Sequence, residues 1–242
     1  MSIDSKGSDV FQLARPPLEP LVEGMFATDY LAVLAGPHGS GKSWLALQLL
    51  QAVDQGTPFL GHATKKGRVL YVALADGVDS VSQRMDTLEW NPSSGAASMF
   101  SIGGFDRSYA TDSLGIAEIA ELAPNFDLIV IDSLVRGLSN SDNEHSHRQM
   151  YEIMVALSDI ARLNKTGILV IHPTRKGVVN EAPLDTLRNS ESLVHTSDMV
   201  LLLERNGRDP EAMLHMDSRD RAFELLPIRQ TKNGSFVAQE KL

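Results

Sequence analysis

Gly36-Pro37-His38-Gly39-Ser40-Gly41-Lys42-Ser43 decides how this chain is read, because it satisfies the pattern G-x-x-x-x-G-K-[ST] in full. Working outward, the apolar run Tyr30-Leu31-Ala32-Val33-Leu34-Ala35 before it has the length of a buried strand. Behind it, Ser43 to Val53 carries Trp44, Leu45, Leu47, Leu49 and Leu50 at helical spacing. Strand, glycine loop and helix are the context in which this pattern binds phosphate. Glycines at 36, 39 and 41 let the backbone curl until its N–H groups point inward, and the helix adds the positive end of its dipole. Residues 36–43 are therefore predicted to cradle ATP, with Lys42 on the β- and γ-phosphates and the Ser43 hydroxyl on Mg²⁺. Pro37, His38 and Ser40 fill variable positions of the cradle, and His38 reads as filler rather than as a ligand.

Composition narrows the class. The 242 residues suffice for one α/β domain, and 43% hydrophobic with 22% charged residues is ordinary for a soluble globular protein. Apolar runs are strand-length, well short of the roughly 20 residues a membrane span needs. Met1 to Lys6 is polar and is not followed by an apolar signal core. With no cysteine there is no disulfide framework, thiolate metal site or cysteine nucleophile, and a cytoplasmic location without membrane contact is expected. The formal net charge of −9 speaks against a broad polycationic grip on nucleic acid, so any DNA contact must come from a local basic patch.

Along the chain, residues 1–20 mix polar residues with Pro16, Pro17 and Pro20 and read as a loosely ordered lead-in. Residues 21–242 are predicted to form one domain. Strands are expected at 68–74, 98–102, 128–131, 168–171 and 199–203, and helices around Val81–Leu88, Leu114–Leu122 and Met150–Ile160. A further short helix is expected within 184–194, and Met213–Met216 with Phe223–Ile228 suggests antiparallel strands near the end. Strands alternating with helices predict a mostly parallel α/β sheet covered on both faces.

The most hydrophobic strand, Leu128-Ile129-Val130-Ile131, stops abruptly at Asp132. An acid at the end of an aliphatic strand, well downstream of a phosphate loop, is the arrangement that holds Mg²⁺ through water opposite the loop hydroxyl. Ser43 and Asp132 are the predicted metal residues.

Six stretches now stand in serial order: Val22-Glu23-Gly24, the phosphate loop, Val69-Leu70-Tyr71-Val72, Leu128 to Leu134, His172-Pro173-Thr174-Arg175-Lys176-Gly177, and Leu187-Arg188-Asn189-Ser190 before the last strands. In that order, from about Leu21 to Phe236, the chain resembles the RecA-like ATPases grouped around the plasmid replicative helicase RepA. The resemblance implies a RecA-like core that works as a homo-oligomeric ring or filament, with ATP between neighbours and single-stranded DNA on inner loops. It also implies partner proteins of replication or recombination.

Residue by residue, the resemblance implies a carboxylate after the second strand that polarises the attacking water. That residue is usually Glu; here the positions are Ala75 and Asp76, and Asp76 carries the shorter acid. It makes His172 a γ-phosphate sensor, with Pro173 where relatives commonly have a second His. Arg175, Lys176 and Arg188 would reach DNA phosphates, against the alternative of a solvated loop. In Asp217-Ser218-Arg219-Asp220-Arg221, Arg219 is the first choice and Arg221 the second for a finger on a neighbour's γ-phosphate, against a surface ion pair with Asp217 or Asp220. Three functions are compatible with this reading. The first is an ATPase that moves on or remodels single-stranded DNA, the second a nonmotor ATP switch such as a recombination mediator or loader, and the third a small-molecule kinase. The His172 loop and the Arg219 region argue against the third.

Overall fold

The computed structural model describes residues 19–74, 76–92, 97–101, 113–133, 143–174, 191–207 and 209–239. The proposed lead-in up to residue 18 and the three DNA-contact candidates Arg175, Lys176 and Arg188 lie outside them.

A small antiparallel pair, β1 (Pro20–Val22) and β2 (Phe26–Ala27), precedes the loop strand β3 (Leu31–Gly36) and its helix α1 (Lys42–Gln55). There follow β4 (Val69–Ala73), α2 (Val78–Thr87), β5 (Ala97–Ser101), α3 (Ser113–Leu122), β6 (Leu128–Asp132), α4 (Asn143–Asn164), β7 (Gly167–Pro173) and α5 (Glu191–Thr196). The chain closes with β8 (Met199–Arg205), β9 (Glu211–Ser218), β10 (Arg221–Gln230) and β11 (Phe236–Ala238).

Among the described residues, nine strands join in one sheet, ordered β11-β10-β9-β8-β3-β7-β6-β4-β5. The strands from β8 to β5 in that order run parallel, and β9, β10 and β11 extend the sheet antiparallel. The expected mostly parallel sheet with antiparallel strands near the C-terminus is thus what the chain forms. The β3 strand lies between β7 and β8, with Ala35 opposite both His172 and Leu202.

Strand alternation divides the core. Ala32 and Leu34 of β3 face α1 and pack with Leu45, Leu49, Leu50 and Val53, whereas Leu31, Val33 and Ala35 face α4. On α4, Met150, Ile153, Met154, Leu157 and Ile160 are all buried, as their spacing predicts. Beyond β8 that second face carries exposed Phe223 (49%), Leu225 (43%) and Val237 (46%). No described helix is long and apolar enough to cross a membrane.

Candidate nucleotide site

Parallel strands present their carboxyl ends along one edge, and that is where open α/β sheets hold ligands. Here the edge gathers the loop after β3, His172 on β7, Asp132 on β6 and the segment after β4, because the sheet order makes these strand ends neighbours. A cleft of about 450 Å³ opens there, lined among others by Lys42, Ser43, Trp44, Asp76, Arg84 and Asp132. His38, Gly39 and Gly41 of the loop also line it.

Helix α1 begins directly after Gly41, whose φ of 102° lies in the region that favours glycine. A Cβ at that position would also stand 2.8 Å from the Phe236 ring. Glycine is therefore required there twice, once by backbone angle and once by the strand packed on top. The Lys42 ammonium donates to the carbonyls of Gly36 and Pro37, both at 2.8 Å, so the charge folds back over its own loop. Burial pushes its pKa down to about 8, with the Asp132 carboxylate pulling the other way. The Ser40 hydroxyl, 1% exposed as a residue, has no hydrogen-bond partner among the described residues.

Asp132 is 5% exposed, and its Oδ2 accepts a 2.7 Å hydrogen bond from the Tyr71 hydroxyl on the neighbouring strand. One carboxylate oxygen is thereby committed and the group is fixed in direction. Burial, reinforced by the Asp132 charge, raises the Tyr71 pKa well above its ordinary value, so the phenol remains a donor. Among the described residues no cluster of three or more His, Cys, Asp or Glu could cage a metal. That donor set fits Mg²⁺ bound with substrate phosphates: Ser43 and water-linked Asp132 would hold it, and it would supply charge neutralisation at the phosphates.

Asp76 lies in the cleft, but Arg84 of α2 donates to its Oδ2 at 2.5 Å. His172 stands at the end of β7 beside the site without lining the cleft, since Ile171 and Pro173 are the β7 residues that face it. Among the described residues its buried Nδ1 has no hydrogen-bond partner, and burial, with the Lys42 charge adding to it, pushes the imidazole pKa down to about 4. Arg219 and Arg221 are not brought to this cleft within one chain. They belong to the β9–β10 turn, where Ser218 pairs with Met199 at the opposite end of the sheet. The Arg219 guanidinium donates to the His195 carbonyl and stands 3.8 Å from Asp198, so its partner is neither of the adjacent aspartates.

Sequence reasoning missed Tyr71, Arg84, Trp44 and Arg205 as parts of this edge. Tyr71 carried a signal, since a phenol inside an aliphatic strand needs a hydrogen-bond partner. Arg205 donates to Gln230 and approaches the Ser40 carbonyl at 3.5 Å, bracing the loop from the C-terminal strands. No local pattern announces that contact.

This is the equipment of the P-loop ATPase class, and other proteins narrow it. A family profile described as AAA domain matches residues 5–178, most of the 242, and the chain belongs to that AAA domain family. No curated protein matches it. Among solved structures, an isolated ATPase domain superposes with a TM-score of 0.66 at 14% identity, covering 88% of this chain and 86% of that one. A RadB recombinase gives 0.61 at 19%, covering 89% and 93%. A KaiC-like protein of the hyperthermophilic archaeon Pyrococcus horikoshii gives 0.64 at 14%, covering 93% and 96%. At such identities the likeness concerns the fold, which is that of RecA-like P-loop ATPases.

Proposed function

We propose that the chain is a Mg²⁺-dependent ATPase that couples hydrolysis to movement along, or remodelling of, single-stranded DNA, in the manner of a RepA-like replicative helicase. The observation that carries this reading is the meeting of Lys42, Ser43, Asp76 and Asp132 in one cleft at the carboxyl edge of the parallel strands. Lys42 and the loop amides orient the phosphates, Ser43 and Asp132 hold the metal, and Asp76 accepts a proton from the water that attacks the γ-phosphorus. His172 reports the state of the site from the end of β7 to the segment bearing Arg175 and Lys176. Assembly into a homo-oligomer is supported by the exposed Phe223, Leu225 and Val237, and it would let Arg219 or Arg221 reach a neighbour's nucleotide. Single-stranded DNA and proteins of replication or recombination are the proposed partners.

A second reading is a nonmotor ATP switch acting as a recombination mediator or loader. It is favoured by the Arg84–Asp76 pair, because a carboxylate already neutralised by a guanidinium is a weaker base. The RadB recombinase among the similar folds supports the same direction.

ATPase rates with and without single-stranded DNA, combined with a strand-unwinding assay on the assembled protein, separate the two. Stimulation together with unwinding supports the motor. ATP binding without either removes the motor and leaves the switch.

A further inference from the structure

Trp44 occupies a place that the phosphate chemistry does not use. It follows Ser43 on the first turn of α1, lines the same cleft, and is only partly buried. One side of its indole is covered by the turn before β11. A Cβ added at Gly234 would meet three indole carbons at 2.4, 2.4 and 2.9 Å, which puts the turn's backbone over the ring face. The φ of 84° at Gly234 belongs to the same turn, so glycine there serves both the bend and the close approach.

The backing is stiff. Gln230 Nε2 donates to the Gly234 carbonyl at 2.9 Å, and the Thr231 hydroxyl and N–H both bond back to Ser235 across the turn. One helical turn beyond Trp44, the Gln48 amide makes two bonds to Phe236, donating to its carbonyl at 2.8 Å and accepting from its N–H at 2.7 Å. The helix and the turn thus hold the indole from two directions. A flat aromatic surface fixed in this way beside a phosphate cradle has the chemistry of a base platform.

We infer that Trp44, backed by the Gly234 turn, stacks against the nucleobase and makes the site select a nucleotide over a bare polyphosphate. This rests on the nucleotide-site reading above and adds to it the recognition of an aromatic base. It assigns the C-terminal strands a part in substrate selection that the loop pattern alone does not contain. Stacking is sequence-tolerant, so the platform accepts purines of either kind, and discrimination between them must come from other groups.

The test compares Mg²⁺-ADP with Mg²⁺-tripolyphosphate binding by calorimetry in the unmutated chain, Trp44→Ala and Trp44→Phe. Trp44→Ala is expected to weaken ADP about tenfold and to leave tripolyphosphate within about twofold, while Trp44→Phe keeps most of the ADP affinity. Retained tripolyphosphate binding also shows that the variant folds. In the unmutated chain, acrylamide quenching of tryptophan fluorescence should fall with ADP and not with tripolyphosphate. Trp90, the other tryptophan, is 5% exposed and bonded to Asp54, so the change belongs to Trp44. Equal weakening of both ligands by Trp44→Ala, unchanged ADP affinity, or equal quenching protection by both ligands overturns the platform. An unmutated chain that binds neither ligand sinks the phosphate site itself.

Discussion

Arg84 holds Asp76 at 2.5 Å inside the cleft that also contains Lys42 and Asp132. The acid proposed to activate water is therefore tied to a cation on the helix that follows it. Replacing Asp76 with Asn keeps its size and removes the proton acceptor. The expected result is a fall in kcat of about 10²-fold or more, with ADP affinity nearly unchanged. Single-turnover hydrolysis and ADP titration measure the two quantities separately, and unchanged turnover takes Asp76 out of the reaction.

Lys42 gives a pH signature for nucleotide binding. Its pKa in the folded chain is about 8, against 10.5 ordinarily, because burial disfavours the ammonium. Phosphate oxygens favour the charged form, so binding raises that pKa and the complex holds more protons than the free protein. Calorimetry near pH 8 in buffers of different ionisation enthalpy should record proton uptake on ADP binding, and affinity should decline as pH rises through about 8. Without ligand, the unfolded chain binds the extra proton between about 8 and 10.5, so the Lys42 contribution to stability improves as pH rises across that window. A Lys42→Met variant should melt higher than the unmutated chain at pH 7, with the gap narrowing toward pH 10.5.

His172 behaves with the same sign in a lower window. Burial holds its pKa to about 4, against 6.5 ordinarily. Between those values the unfolded chain carries the proton and the folded chain does not, so stability falls as pH drops from 6.5 to 4. Thermal melts of the unmutated chain and His172→Gln should diverge across that interval, the histidine chain losing more. Parallel curves show that the imidazole protonates as freely folded as unfolded.

Arg219 is anchored at the far end of the sheet, its main-chain N–H bonded to the Asp198 carbonyl at 3.1 Å. If it serves a neighbour's site, the service is in trans. Mixing Arg219→Ala with Lys42→Ala should then form some interfaces with an intact cradle facing an intact arginine, and ATPase activity should exceed that of either variant alone. Co-assembly without any gain assigns the finger elsewhere, with Arg221 next to be exchanged.

Much of this architecture can be read from residue order, and the reasons differ by element. Aliphatic runs such as Leu128 to Ile131 and the Met150–Ile160 stripe have one burial solution each, so β6 and α4 fall where periodicity puts them. The strands β1, β2 and β11 have only two or three residues each, too few to show a period, and β11 exists through its pairing with β10, as when Ile228 pairs with Ala238. No window of neighbouring residues contains that information. β8 is two residues longer than its apolar stretch, and the extension ends in Arg205, the residue that reaches the loop at Ser40. The glycine loop and Asp132, which share one cleft, stand out as candidates in the sequence because chemistry restricts the residue types such a site can use. Arg84 on Asp76 does not, since it depends on how α2 returns toward β4.

Both neighbours of β3 run parallel to it, pairing along Leu31 to Gly36 on one side and Ala32 to Ala35 on the other. To shift this strand would break two ladders at once, so the cradle works as a fixed anvil. Whatever strain ligand exchange creates must discharge sideways, into the side chains hanging past the ends of β4, β6 and β7.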